Sequence, residues 1–143
     1  MSARPSVIVD TNIIFSALLS SRSRFSEILL NAGDQFYANE LAVIELFKHK
    51  EKIVRFSRLS EDEIIQLYYL LLRRINLFKE DLISPESRRA AYTLCRDIDE
   101  TDTPHIALTL ELNGLLWTGD NTLKAKLRLK GFERFFDPSG SAT

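Results

Sequence analysis

Short apolar runs alternate with amphipathic stretches along the chain. β-Branched and aromatic runs predict strands at residues 7–9, 35–38, 75–78 and 115–117, and a last short strand at 134–136. Helical periodicity predicts helices at about 11–19, 23–31, 40–56, 61–72, 85–96, 102–113 and 121–130. Strands that alternate with helices are typical of a parallel sheet covered by helices on both faces. The pattern therefore predicts an α/β fold, in which ligands bind at the carboxyl ends of the strands.

Local signals place several helix ends. Ser60 and Glu63 have the spacing of a capping box, in which each side chain accepts a hydrogen bond from the other residue's backbone N–H. Asn39 is expected to cap the helix that follows it. Gly33 is expected to stop the helix that precedes it. Each of these signals predicts a boundary that the structure can test.

Length and composition indicate one globular domain. The chain has 143 residues, 45% of them hydrophobic, which is enough to build one core. We expect a single domain over residues 1–137 and a flexible tail over 138–143. No apolar run approaches the ~20 residues that span a bilayer, and the lone cysteine, Cys95, excludes a disulfide framework. These features predict a reduced, cytoplasmic protein that does not bind membranes.

Charge is balanced overall but uneven along the chain. With 19 basic and 20 acidic residues, the net charge is −1, which argues against a protein that coats nucleic acid through charge alone. Four acids nevertheless fall within residues 97–102, and basic residues crowd 48–52 and 124–130. A focus of acids with basic flanks suits a metal site that handles phosphate.

Two aspartates follow predicted strands. Asp10 comes directly after the apolar run 7–9, and Asp120 follows Trp117-Thr118-Gly119. A carboxylate in such a place is held rigidly, as a metal ligand must be. Either aspartate could instead only cap the next helix, because a side-chain oxygen there accepts from free backbone N–H groups. Both interpretations are open on the sequence.

Glu45 lies among apolar residues in the stretch 41–47. A carboxylate there is at least half buried, and burying its charge is costly unless a positive group compensates. On a continuous helix, Lys48, His49 and Lys52 would share its face. Glu45 is therefore either a ligand for a cation or the partner of Lys48 or His49 in a salt bridge.

The acidic residues Asp97, Asp99, Glu100 and Asp102 precede a helix whose first turn contains Pro104. Acids favour helix N-termini, which explains one or two of them but not four. Like charges at this density repel each other, and a divalent cation relieves the repulsion. Magnesium takes oxygen ligands and keeps several waters, so three or four converging carboxylates suffice to bind it.

Together these motifs resemble those of the PIN-domain ribonucleases. The matching elements, in chain order, are Asp10-Thr11-Asn12, Glu45 in a following helix, Asp99-x-x-Asp102-x-Pro104 and Thr118-Gly119-Asp120. The resemblance extends from about Val7 to Asp137, and none of its acidic positions is missing.

The resemblance implies a three-layer α/β/α sandwich around a mainly parallel sheet. It also implies a catalytic, metal-binding quartet with two supporting polar residues: Asp10, Glu45, Asp102 and Asp120, with Asn12 and Thr118. We expect Asp102 to be the direct ligand and Asp99 an auxiliary one, because Asp102 is fixed at the start of its helix. Asp97 and Glu100 are expected to be surface charges.

The activity that the resemblance implies is cleavage of single-stranded RNA by a metal-activated water, with Mg²⁺ or Mn²⁺ as cofactor. Many small stand-alone members are toxins of VapC-like toxin–antitoxin pairs and form dimers. An antitoxin protein and a second copy of the chain are therefore expected partners. Lys48, Lys52 and His105 are expected to contact RNA, although His105 could instead have a hydrogen-bonded structural role.

Other classes fit the motifs less well. A haloacid-dehalogenase-like phosphatase needs a second aspartate two residues after the first, where Asn12 stands. A phospho-receiver domain explains a strand-end aspartate but not Glu45 in an apolar helix. The remaining alternative is a PIN module that binds RNA or a partner protein without turnover. Metal-dependent cleavage of unstructured RNA separates that module from an enzyme.

Overall fold

The structure is a computed structural model that describes residues 4–20 and 22–138. The strands in these residues are β1 (Ser6–Val9), β2 (Gln35–Asn39), β3 (Ile75–Phe78) and β4 (Leu115–Trp117). The α-helices are α1 (Thr11–Ala17), α2 (Arg24–Asn31), α3 (Leu41–Lys48), α4 (Lys50–Phe56), α5 (Glu61–Arg74), α6 (Pro85–Cys95), α7 (Thr103–Glu111) and α8 (Asn121–Leu129). Two 3₁₀ turns occupy Glu80–Leu82 and Glu100–Asp102. The tail expected at 138–143 lies outside the described residues, apart from Pro138.

The four strands form one parallel sheet in the order β3-β2-β1-β4. In its register, Val7 of β1 pairs with Phe36 of β2 on one side and with Leu115 of β4 on the other. Beyond β4, residues 134–136 add a single parallel bridge between Leu116 and Phe135 in place of the full strand expected there. The predicted parallel α/β sheet is confirmed.

Alternating residues of β1 point into two separate cores. Val7 and Val9 are fully buried in a core formed with α1 to α5, whereas Ile8 is buried in a second core formed with α6 to α8. Each buried aliphatic side chain of this kind stabilises the fold by about 1.5–3 kcal/mol. Helices therefore cover both faces of the sheet, which confirms the three-layer sandwich.

The direction of the strand order changes beside β1. The chain moves outward from β1 to β2 and β3, and then returns to place β4 on the opposite side of β1. In open parallel sheets such a switch point opens a crevice at the carboxyl ends of the two strands, where ligands bind. Asp10 and Asp120 follow the two strands that flank this crevice.

A close backbone contact allows β4 to enter beside β1. A Cβ atom on Gly114 would lie 2.4 Å from the Ser6 carbonyl oxygen and 2.7 Å from Ile8 Cδ1. The preceding residue, Asn113, has a φ of 52°, which asparagine tolerates better than most residues. Only glycine fits at position 114 without displacing β1.

The helix expected at 40–56 is two helices, and that expectation was wrong. His49, with φ −105° and ψ 13°, separates α3 from α4. No glycine or proline causes the break; instead the His49 ring packs edge-on against Phe15 of α1, with ring centroids 6.4 Å apart. The helix breaks where His49 contacts Phe15, and the hydrophobic periodicity of the sequence did not indicate this break.

Two other boundaries also differ from the expectation. Asn39 ends β2 and does not occupy the cap position, although its side-chain oxygen accepts from the Leu41 backbone N–H at 3.0 Å. The helix α2 ends at Asn31, and Ala32 is already extended, so the helix stops before Gly33. The predicted capping box of Ser60 and Glu63 is confirmed, with both hydrogen bonds present.

No helix in residues 4–20 and 22–138 combines the length and the apolarity that crossing a bilayer requires.

Candidate functional site

Two carboxylates are anchored at the carboxyl ends of neighbouring strands. Asp10 caps α1 by accepting from the Ile13 backbone N–H at 3.0 Å, and Asp120 caps α8 by accepting from the Leu123 backbone N–H at 3.0 Å. The Asp10 backbone N–H also donates to the Trp117 carbonyl at 3.2 Å. The capping interpretation is thus correct for both residues, and it holds both carboxylates beside the crevice.

Asp10 is the most buried of these acids, with 4% of its surface exposed. Burial raises its pKa, and the nearby charge of Asp120 raises it further. Hydrogen bonds from the Thr118 side chain and from the backbone N–H groups of Ile13 and Asn12 oppose this shift. Thr118 is itself buried, and its hydroxyl accepts from the Asp120 backbone N–H at 3.2 Å. Thr118 therefore connects the two aspartates, whereas the Asn12 side chain is exposed.

Asp102 lies where several negative charges act together. It ends the 3₁₀ turn that precedes α7, and its side chain makes no capping hydrogen bond there. Burial, followed by the charges of Asp99, Asp10, Asp120 and Glu45, together raise its pKa to about 7. The fold therefore brings five acids from four parts of the chain within electrostatic range of one another.

Asp99 differs from Asp102 although only three residues separate them. It is exposed, and its Oδ1 accepts from the Thr101 hydroxyl at 2.6 Å and from the Thr101 backbone N–H at 3.0 Å. These bonds lower its pKa. Asp97 is also exposed and pairs with Lys130, which lowers its pKa. The two acids are therefore stabilised as anions by their own neighbours.

Glu45 is partly buried on α3 and makes no ion pair or hydrogen bond within residues 4–20 and 22–138. The salt bridge to Lys48 or His49 is absent from this part of the chain. Lys48 stays on α3 with Glu45, whereas the break at His49 places Lys52 on α4, so the face that we expected these residues to share is not continuous. Lys48 and Lys52 are exposed, and their contact with RNA stays a prediction.

His105 is buried, with 3% of its surface exposed, in keeping with a hydrogen-bonded structural role; the RNA contact expected of it stays a prediction. Its Nε2 lies 3.3 Å from the Thr11 hydroxyl, and its Nδ1 has no hydrogen-bond partner among the described residues. Burial lowers the pKa of the ring, which the charges of Glu45 and Glu80 oppose. His105 therefore links α7 to the start of α1 beneath the acids.

The sequence analysis missed a buried asparagine at the next strand end. Asn39 ends β2 with none of its surface exposed, and its side-chain amide donates to the Glu80 carboxylate and to the Pro104 carbonyl. It connects β2 to the first turn of α7. The signal was present, because Asn39 closes an apolar strand just as Asp10 does.

The donor set is one that a hard divalent cation accepts. The acids within electrostatic range of Asp102 offer only oxygen atoms, which suits Mg²⁺ or Mn²⁺. As the side chains stand, no three Asp, Glu, His or Cys residues of the described chain are close enough to hold a metal ion. The arrangement thus collects negative charge at the crevice without forming a closed cage.

Comparisons with known proteins agree with this fold. A family model described as PIN domain matches residues 8–132, a span that includes all four acids of the expected quartet. The chain is also similar to the crystal structure of PAE2754 from Pyrobaculum aerophilum, with a TM-score of 0.60 and 16% sequence identity over 85% of this chain and 79% of that chain. At this identity the likeness concerns the fold alone. No curated protein sequence matches the chain.

Proposed function

The chain belongs to the PIN-domain family, whose members are generally nucleases, and on that premise we propose that it is a metal-dependent endoribonuclease for single-stranded RNA. The observation that carries the proposal is the convergence of charge on Asp102. Burial and the charges of four other acids raise the pKa of this carboxyl group to about 7. Acids brought together from separate elements at a switch point favour a bound cation more than a structural role.

We propose that Asp10, Glu45, Asp102 and Asp120 hold the cation, with Asp99 as an auxiliary acid. PIN-domain nucleases generally use divalent metals. When bound, such a cation lowers the pKa of a coordinated water and neutralises charge on the phosphoryl oxygens. Carboxylates that repel one another separate when nothing compensates their charge, which accounts for the open arrangement of these side chains.

The chain's own residues have distinct parts in this proposal. The helix cap and the Thr118 contact orient Asp10 before any ligand arrives. Where its carboxylate is not fully used in holding the cation, Asp102 would orient the attacking water. Lys48 and Lys52 are exposed near Glu45 along the chain, and they would attract the RNA backbone.

The test is cleavage of a labelled, unstructured RNA with Mg²⁺, with Mn²⁺ and with a chelator. We expect cleavage only with metal, and a loss of about 100-fold or more for Asp10→Asn, because a metal ligand contributes several kcal/mol to transition-state stabilisation. Asn still caps a helix, so the fold should persist. Asp62→Asn, an exposed acid on α5, is the matched control and should cleave normally.

The alternative is a PIN module that binds RNA or a protein without turnover. The absence of three acids close enough to hold a metal in the described residues favours it. RNA binding without cleavage at any metal concentration would establish this alternative. Cleavage that persists with chelator would overturn the metal dependence.

The proposal extends to partners. Large apolar side chains are exposed on α3 to α5, among them Phe47 at 69%, Phe56 at 58% and Tyr69 at 63%. Contiguous exposed apolar surface marks an interaction site, and we propose that a second copy of the chain covers it. Light scattering of the purified protein measures its mass; a monomer at high concentration would contradict the dimer.

The proposal also includes a toxin role, which follows from the resemblance to small stand-alone PIN proteins. Expression of the chain in the cytoplasm should arrest growth, and Asp10→Asn should relieve the arrest. Co-expression of the adjacent reading frame tests for an antitoxin.

A further inference from the structure

A second cleft adjoins the acidic site. It lies between α6 and the start of α7, has a volume of about 360 Å³ that is open to solvent, and is lined by Arg88, Tyr92, Thr103, Glu80 and Glu100 among others. Thr103 directly follows Asp102 in the chain. The volume is within the range of small-ligand sites, and the cleft is therefore placed to hold part of a ligand whose other part reaches the acids.

The cleft contains polar groups that the described chain leaves unpaired. Three buried side-chain atoms in residues 4–20 and 22–138 have no hydrogen-bond partner, and two of them, Arg88 Nε and Thr103 Oγ1, belong to residues that line this cleft. The Thr103 hydroxyl lies beside the Cys95 thiol, a weak hydrogen-bonding group. Buried donors are normally satisfied, so the Arg88 Nε–H group indicates a missing partner.

Arg88 has no anionic partner among residues 4–20 and 22–138. One of its terminal nitrogens donates to the Glu80 carbonyl at 2.5 Å, but no carboxylate of the described residues lies within ion-pair distance of it. A guanidinium group carries five N–H donors in a planar fork. Donors therefore remain for a ligand that presents acceptors in one plane.

Tyr92 provides a flat surface at the same cleft. It follows Arg88 by one helical turn, so the two side chains share a face of α6, and 49% of the tyrosine is exposed. Aromatic side chains in such positions stack unpaired bases.

The carboxylates of the cleft decide which ligand it fits. Glu80 and Glu100 would repel a phosphate or an acidic peptide. Glu80 already accepts from the Asn39 amide, whereas the Glu100 side chain is exposed. A cleft that is lined by both an exposed carboxylate and a guanidinium fork matches a base that presents two N–H donors and two acceptors. Guanine does so, with N1–H and N2–H₂ as donors and O6 and N7 as acceptors.

We propose that the cleft between α6 and the start of α7 binds an unpaired guanine of the RNA, next to the position of cleavage. The proposal rests on the proposed ribonuclease function for the identity of its ligand. Tyr92 stacks the base, Glu100 accepts from its Watson–Crick edge, and Arg88 donates to its carbonyl edge.

The test is a titration of the full chain, in chelator, with the four 5′-mononucleotides by calorimetry or NMR, with ribose 5-phosphate as the control for the phosphate group. We expect GMP to bind at least ~10-fold more tightly than the other three, because a bidentate base contact of this kind discriminates strongly. Tyr92→Ala should weaken GMP binding by roughly 10-fold, the effect of losing a stacking side chain. Glu100→Gln should remove the preference for GMP.

Controls separate binding from folding. Arg89→Gln changes the exposed neighbour of Arg88 and should leave GMP binding unchanged. Arg88→Gln should weaken GMP binding, and its melting temperature shows whether loss of the Glu80 contact disturbs the fold. Tyr92→Ala tests the cleft independently, since Tyr92 is half exposed.

A preference for another base, equal binding of all four, or binding of a Glu-rich peptide in place of GMP would overturn the proposal. So would unchanged GMP binding by Tyr92→Ala. Because these measurements need no cleavage, GMP binding by a chain that cuts no RNA would contradict only the ribonuclease function. Metal-dependent cleavage without GMP binding would contradict only the guanine site.

Discussion

The two sides of the acidic site hold their carboxylates differently. On the sheet side, Asp10 and Asp120 each accept a hydrogen bond from the backbone N–H three residues ahead, at 3.0 Å. On the helix side, Glu45 and Asp102 make no side-chain hydrogen bond or ion pair with the described residues. One pair is oriented by the backbone, and the other is not.

The sheet-side carboxylates are held in place by the backbone, whereas the helix-side carboxylates carry charge that no partner among the described residues balances. The helix caps orient the sheet-side carboxylates whether or not a ligand is present. On the helix side, burial and the neighbouring acids raise the pKa of Asp102 to about 7, so its charge needs a proton or a cation. We therefore expect metal and pH to act most strongly through the helix side.

The largest effect should separate Asp102 from Asp99. Asp102→Asn should reduce RNA cleavage by about 100-fold or more at every magnesium concentration, because a ligand is lost. Asp99→Asn should be partly rescued by more metal, since Asp99 is exposed and bonded to Thr101. Cleavage rates across a magnesium titration measure both, with Asp97→Asn as an active control. An inactive Asp99→Asn beside an active Asp102→Asn would reverse the assignment.

Glu45→Gln tests whether the second helix-side carboxylate is also unsatisfied. Cleavage should be lost, while the metal-free protein should keep or gain stability, because a charge that repels the other acids is removed. Melting temperatures without metal measure this, and Glu51→Gln on α4 is the exposed control. A clear loss of stability would instead indicate a salt bridge with Lys48 or His49 in solution.

The smallest effect concerns the pH dependence of stability. The pKa of Asp102 is about 7 in the folded chain and near 3.8 when unfolded, so between these values the folded state binds more protons. The contribution of Asp102 to stability is therefore present at low pH and is lost as pH rises toward 7. After solvent screening we expect on the order of 1 kcal/mol.

Urea unfolding of wild type and Asp102→Asn at pH 5 and pH 8 isolates this contribution, because other carboxyl groups shift in both directions. The metal-free wild type should lose more stability than the variant over this interval, and saturating Mg²⁺ should remove the difference. Equal pH dependence of the two proteins would show that Asp102 carries no unsatisfied charge.

The sequence by itself determined most local features. The apolar runs specified all four strands, and Ser60 with Glu63 specified a helix start that the structure contains. Asp10 and Asp120 were identifiable as strand-end acids because capping depends only on a few neighbouring residues. The PIN-like motif order then indicated a sandwich that the strand order bears out.

The tertiary structure alone decided the features that depend on contacts between residues far apart in the sequence. Periodicity could not show the break at His49, the burial of His105 or the isolation of Glu45, because each depends on elements packed from elsewhere in the chain. Periodicity also could not show that Arg88 Nε has no hydrogen-bond partner in the described part of the chain. Local patterns act over about one helical turn, whereas burial and charge coupling depend on the strand order, which joins residues as far apart as Asp10 and Asp102.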